Sequence, residues 1–204
     1  MKKKILAVIL FITGILIGVL AKFNVLSSFD SAFYRLLMQI KCEPVTNAFK
    51  IITILGNTRF IILLNIIAII IYFIVKNKNI FLIVINSIIS PIVNNILKYI
   101  FKRPRPDEAL RLIIESNYSF PSGHAMISVF FYFTLIILIN RSKIRYKKAL
   151  ITVLLSIIIL IGISRVYLGV HYISDVVGGY LIAISIIIFL EMSDKIESTN
   201  NRSQ

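Results

Sequence analysis

Six apolar runs constrain this chain more than any other feature; they lie at about residues 5–21, 60–75, 80–97, 124–139, 149–163 and 174–190. Crossing a hydrocarbon core of roughly 30 Å takes about 20 residues of helix, and the runs approach that length. Soluble domains scatter their apolar residues at helix or strand periodicity. Here 58% of 204 residues are hydrophobic, the mean hydropathy is +0.90, and the excess is concentrated in the runs. The expected fold is an all-α membrane protein, a six-transmembrane-helix bundle built by residues 1–204 as one domain.

The first run follows Lys2-Lys3-Lys4. A signal peptide shares that charged start, and Val19-Leu20-Ala21 loosely resembles a cleavage site. The run is longer than most signal cores, which favours an uncleaved anchor. Residues 23–58 hold two short amphipathic pieces, Phe29 to Ile40 and Pro44 to Leu55, before a turn at Gly56-Asn57. Interfacial helices with apolar faces in lipid or against the bundle fit this pattern, and packing without chemistry is their favoured role. Pro91 falls inside the third run, where it should kink the helix while neighbours satisfy the freed carbonyl. Asn86, Asn94 and Asn95 on that helix read as interhelical hydrogen-bond partners or as pocket lining.

The net charge of +14 would raise nucleic-acid binding in a soluble chain. The basic residues instead cluster between apolar runs, as in short cytoplasmic loops, so nucleic acid is not an expected partner. Six crossings from a cytoplasmic start leave both termini cytoplasmic, with the loops at 76–79 (Lys76, Lys78) and 140–148 (Arg141, Lys143, Arg145, Lys147, Lys148) facing inward. The loops at 98–121 and 164–173 then face outward. They too carry cations, an exception that asks for another reason. Cys42 stands alone, which excludes an intramolecular disulfide and a cysteine-rich metal cage. Nothing in the sequence sets an oligomeric state.

Those outward segments, with the start of the fourth run, carry the polar residues that suggest chemistry. Ser122 in Pro121-Ser122-Gly123-His124 is placed to cap a helix whose free N–H groups and positive dipole end suit an anion. Gly123 allows close backbone approach, and His124 lies in the first turn. His171 and Asp175 are four apart and, on a helix, share one face. The carboxylate would then accept the Nδ1 proton and leave Nε2 free as nucleophile or base. The bland alternative is a lone ion pair of Asp175 with Arg165, whose guanidinium otherwise suits two phosphate oxygens. Lys98 ends the third helix, and Pro104 and Pro106 turn Arg105 back toward the membrane surface. The bland alternative is a set of basic residues contacting lipid headgroups, a role that suits Lys102, Arg103 and Arg111, and composition alone does not separate these from Lys98 and Arg105.

Taken in order, Lys98 to Pro106 (Lys-x6-Arg-Pro), Pro121 to His124 (Pro-Ser-Gly-His) and Ser164 to Asp175 (Ser-Arg-x5-His-x3-Asp) resemble the signature of the type-2 phosphatidic acid phosphatase superfamily, the membrane lipid phosphatases. The triple match, at the helix ends where membrane members carry it, spans nearly the whole chain apart from 23–58 and the carboxy-terminal tail. The resemblance implies a metal-independent lipid phosphatase without cofactor. His171 would be the nucleophile forming a phosphohistidine, Asp175 its orienting partner, and His124 the acid for the leaving oxygen and then the base for water. Lys98, Arg105, Arg165, Ser122 and the Gly123 N–H would hold the phosphoryl oxygens without a metal. Undecaprenyl diphosphate, phosphatidylglycerol phosphate and phosphatidate are the substrates this implies, attacked at the outer face, with a bell-shaped pH dependence between weakly acidic and weakly basic pH. A lipid phosphotransferase using the same site and a non-catalytic anionic-lipid transporter are the alternatives.

Overall fold

In hydrocarbon no water pairs with the backbone, so each N–H and C=O must be satisfied within its own segment. The computed structural model describes residues 2–76 and 78–200, and its regular elements are all helical. These are α1 (Lys2–Lys22), α2 (Ser27–Met38), α3 (Glu43–Ile54), α4 (Thr58–Val75), α5 (Lys78–Phe101), α6 (Gly123–Ser128), α7 (Thr134–Arg141), α8 (Lys147–Tyr167) and α9 (Ile173–Asn200). A 3-10 turn covers Glu108–Leu110, and a π turn at Val129–Phe133 joins α6 to α7 as one span, Gly123–Arg141. Among the described residues six spans are long and apolar enough to cross a membrane, each extending the expected run by a few residues. Position 77, in the loop expected at 76–79, lies outside the described residues.

Local chemistry sets the ends. The Asn57 side chain accepts from the Arg59 N–H at 2.8 Å and starts α4. Pro44 opens α3, where its missing N–H costs nothing. Lys102 adopts a left-handed φ of 48° after α5, and Pro104 and Pro106 keep the following chain out of helix.

α1 lies along α9 through a stripe of small residues, Ala7, Gly14, Gly18 and Ala21. Backbones approach closely there because nothing projects between them. A Cβ on Gly14 would stand 2.6 Å from Ile182, and one on Gly18 would strike the rings of Phe101 and Phe120. Phe120, Met126, Phe130, Ile161, Ile182 and Ile187 fill the centre of the bundle. The Asn86 amide donates to Thr134 Oγ1 at 2.8 Å, the interhelical bond expected of it. α4 is the opposite case, burying only Ile61 and Ala68.

α2 and α3 fold over the end of the bundle where α1, α5 and α8 finish. Phe49 packs on Tyr167 with ring centroids 4.5 Å apart, and the hydroxyls of Thr46 and Tyr167 meet at 2.9 Å. Phe29, Leu36, Ile51 and Ile54 remain exposed on the other side. The packing against the bundle expected of these helices therefore occurs, with further apolar side chains left on the surface.

Gly14→Leu is expected to destabilise the α1–α9 contact by about 1–3 kcal/mol, read as a lower melting temperature in detergent. Ile9→Leu, on the exposed face of the same helix, should leave that temperature unchanged.

Candidate active site

Beyond α5 the chain crosses back over the helix ends, and Arg105 is fastened there by loop carbonyls. Its Nε donates to Asn117 O at 2.9 Å, Nη1 to Val170 O at 2.7 Å and Nη2 to Ser116 O at 3.1 Å. Nη1 also lies 3.0 Å from His171 Nε2. A guanidinium only donates, so Nε2 is the accepting nitrogen and Nδ1 carries the proton. Nδ1 faces Asp175 Oδ2 at 3.5 Å and Ser119 Oγ at 3.4 Å. Burial, reinforced by the positive charges of Arg105, Lys98 and Arg165, holds the His171 imidazole well below its ordinary 6.5, hence neutral.

The His171–Asp175 pair does not share a helix face as expected. His171 precedes α9 in the connecting turn, and Asp175 is the third residue of that helix. From there Oδ2 accepts the Tyr172 N–H at 2.9 Å, a capping-box arrangement, and the Ser119 hydroxyl at 2.5 Å. The carboxylate starts the helix and faces the imidazole from the same position.

Ser122 caps α6, accepting from the Ala125 N–H at 3.5 Å, and its own N–H donates to Asp175 O at 3.1 Å. Asn94 secures this turn by donating to Pro121 O at 3.0 Å. A Cβ on Gly123 would come within 3.3 Å of Asn94 Oδ1, so a larger residue would have to shift the Asn94 side chain by a few tenths of an ångström. His124 follows in the first turn. With His171, Lys98, Arg105 and Gly123 it lines a cavity of about 410 Å³. The Lys98 ammonium donates to Tyr118 O at its rim.

Arg165 is 1% exposed at the end of α8. It does not pair with Asp175. Nη1 donates to Thr53 Oγ1 at 2.9 Å, Nη2 to Glu115 Oε1, and Nε has no hydrogen-bond partner among the described residues. Glu115 Oε2 lies 3.7 Å from Arg105 Nη2, so one carboxylate spans both arginines at the cavity wall. Ser122, Arg165 and Asp175 sit behind the cavity lining, Arg165 reaching it through Glu115. Among the described residues, no three of the His, Cys, Asp and Glu side chains gather as a metal site.

Arg103 corrects the headgroup expectation. It is 3% exposed, its Nη1 donating to Asp175 Oδ1 at 2.6 Å and its Nη2 to Asp30 Oδ2 at 2.7 Å. Burial lowers its pKa, but Asp175 and Asp30 outweigh that and raise it. Asp30 also accepts from the Ser174 N–H at 3.0 Å and hydroxyl at 2.8 Å. α2 and α3 thus reach the site through Asp30 and Thr53, beyond the packing role expected of 23–58. Arg111 instead donates to Pro106 O at 2.9 and 2.7 Å and fastens the loop. Lys102 is exposed.

Only one signal could have exposed Asp30 and Glu115. The chain has nine carboxylates against 23 lysines and arginines, so each acid beside the outward cations had a partner waiting. Arg103 carried no such signal, since it sits among neighbouring cations of identical charge.

A second cavity, apolar and about 400 Å³, runs between α4 and α5 past Ile62, Ile66, Ile69 and Ile88. It shares Thr58, Pro91 and Ile127 with the charged cavity. The two therefore adjoin, the charged cavity at the helix ends and the apolar groove beside it.

Comparison with known proteins gives a consistent result. Residues 79–194 match the PAP2 superfamily model. The chain is 32% identical over 192 residues to phosphatidylglycerophosphatase B of Bacillus subtilis (strain 168), covering 91% of this chain and 93% of that protein. It is 34% identical over 121 residues to the undecaprenyl-diphosphatase of Sulfolobus acidocaldarius, covering 57% of this chain and 54% of that one. The crystal structure of a transmembrane PAP2-type phosphatidylglycerolphosphate phosphatase from Bacillus subtilis superposes with a TM-score of 0.83 at 28% identity, over 93% of this chain and 96% of the other.

Arg103→Leu leaves Asp30 and Asp175 buried without their cation, and breaking a buried pair in this way costs about 3–5 kcal/mol. Thermal unfolding in detergent should show that loss. Lys102→Ala should stay within about 0.5 kcal/mol of the parent.

Proposed function

The chain belongs to the PAP2 superfamily, and we propose that it removes a terminal phosphate from a lipid at the outer membrane face through a phosphohistidine on His171. It is a multi-pass membrane lipid phosphatase; the substrate, the intermediate and the sidedness are the proposal. The observation that carries it is the buried, neutral His171, with Nε2 turned to Arg105 on a cavity it shares with His124 and Lys98.

In this reading the lone pair of Nε2 attacks phosphorus in line, and the bond to the leaving oxygen breaks as His124 supplies its proton. Water then enters, His124 takes one of its protons, and inorganic phosphate leaves as the His171–phosphorus bond breaks. Asp175 holds the Nδ1 proton and offsets the charge that grows on the ring. Lys98, Arg105 and Arg165, with the first N–H groups of α6 capped by Ser122 and kept accessible by Gly123, face the phosphoryl oxygens. Charges fixed in advance around the cavity act on the transition state without reorganising. These three cations stand where a metal would otherwise be needed, and activity is expected to survive EDTA.

The apolar groove between α4 and α5 supports an acyl or prenyl tail beside the charged cavity. Phosphatidylglycerol phosphate is the favoured substrate, from the full-length likeness to a phosphatidylglycerophosphatase; undecaprenyl diphosphate is second. Arg141, Lys143, Arg145, Lys147 and Lys148 cluster at the opposite end from the site, which supports an outward site and cytoplasmic termini by the usual charge bias.

Phosphate release by purified protein over a panel of lipid monophosphates and diphosphates tests the reading, and His171→Ala should abolish it. Release surviving that change would overturn the assignment of the nucleophile. A lowered His171 pKa keeps the nucleophile neutral to lower pH, so the acid limb it imposes on kcat/KM should fall below pH 6.5. That places it lower than the bell expected from ordinary histidines. Titrating kcat/KM from pH 4 to 9 gives the check.

A further inference from the structure

Glu115 occupies an unusual place for an acid. Its two carboxylate oxygens reach Arg165 Nη2 and Arg105 Nη2, the two guanidinium groups assigned above to the phosphoryl group. It lines the same cavity as Lys98, His124 and His171. We propose that Glu115 is a specificity-determining residue: an internal anion that a terminal phosphate displaces and that a phosphodiester headgroup does not. The inference rests on the lipid-phosphatase reading given above.

Three observations carry it. First, Arg105 keeps its position without the carboxylate, because the carbonyls of Ser116, Asn117 and Val170 hold all three of its nitrogens. Glu115 can leave without dismantling the site. Second, Arg165 has a donor to spare. Its Nε is buried without a partner while Nη2 is engaged by Glu115. A buried donor left unpaired is costly, so Arg165 gains from exchanging Glu115 for a group with enough oxygens to meet Nε as well as Nη2. Third, the carboxylate has somewhere to go. The Glu115 side chain is 27% exposed and stands between Ile114, fully exposed, and the exposed Ser116.

Charge then sets the selectivity. A membrane presents this site with phosphodiester lipids in great excess over its substrate. A phosphodiester carries one negative charge and two free oxygens, so exchanging it for Glu115 replaces one monoanion by another with no electrostatic gain. A terminal phosphate brings up to two charges and three free oxygens, enough for Arg105, Arg165 and Lys98 together. Discrimination of this kind is a difference of affinities, made by penalising the competitor. Without Glu115 the cations would hold any phosphate headgroup. With it, bulk lipid is kept off, and so is the product wherever dephosphorylation leaves a phosphodiester.

The test uses full-length protein in detergent, with a short-chain phosphatidate as substrate and a short-chain phosphatidylglycerol as phosphodiester competitor. In Glu115→Gln the inhibition constant of the phosphatidylglycerol should fall about tenfold, and by clearly more than the KM of the phosphatidate falls. Glu115→Asp, which keeps the charge, should retain the parent's ratio of the two. A ratio unchanged in Glu115→Gln overturns the proposal; a raised KM at constant ratio does so too, since Glu115 would then only position the arginines. Should Glu115→Gln lack turnover, its melting temperature in dimethyl phosphate decides. Protection gained over the parent supports the proposal, and none overturns it. Failure of the parent itself to release phosphate from any lipid phosphate would instead sink the reading beneath it, before the variants are compared.

Discussion

The buried Arg103 guanidinium, held between Asp30 and Asp175, is the interaction on which the rest of the site depends. All three groups are at most 3% exposed, and in such surroundings a single unpaired charge costs far more than the pair contributes. The cluster therefore forms whole or not at all. It joins α2, the segment after α5 and the start of α9, three pieces far apart in sequence. By occupying Asp175 Oδ1 it leaves Oδ2 for the His171 side. The Arg103 guanidinium also lies 4.0 Å over the Tyr172 ring, which packs the turn carrying His171.

Around that anchor the site is built from helix termini, which suits both its place and its task. Residues at the ends of α5 and α8 and at the starts of α6 and α9 converge at one end of the bundle, where polar groups leave the hydrocarbon. The α6 start offers unpaired N–H groups toward an anion, capped by Ser122. The apolar groove between α4 and α5 meets the charged cavity at Thr58, Pro91 and Ile127. Charged and apolar surroundings therefore lie on two sides of one boundary, the arrangement on which the proposed lipid substrate rests.

The sequence resolved the fold well because hydrocarbon leaves a chain few choices. Runs of isoleucine and leucine near span length become helices, and proline, asparagine and glycine mark their ends. The three signature segments were legible for the same local reason, since their spacings place chemistry at helix ends. Less legible was the way the charges pair. Lys102, Arg103 and Arg111 looked alike in sequence, yet Lys102 is exposed, Arg111 holds the Pro106 carbonyl and Arg103 is the buried centre of a cluster. His171 and Asp175 looked like one helix face, and they lie instead across the turn into α9.

Span length, capping and motif spacing are local properties, so six apolar spans, two amphipathic pieces between the first two of them and the three signature segments could be read directly from the order of residues. Packing set the rest: Arg103 pairs with Asp30 and Asp175, Arg165 meets Thr53 and Glu115, and the charged cavity adjoins an apolar groove. Those pairings span between 50 and 112 residues of chain. The reason is physical: which opposite charges meet when water is removed depends on how helices pack, and no spacing within one segment encodes that.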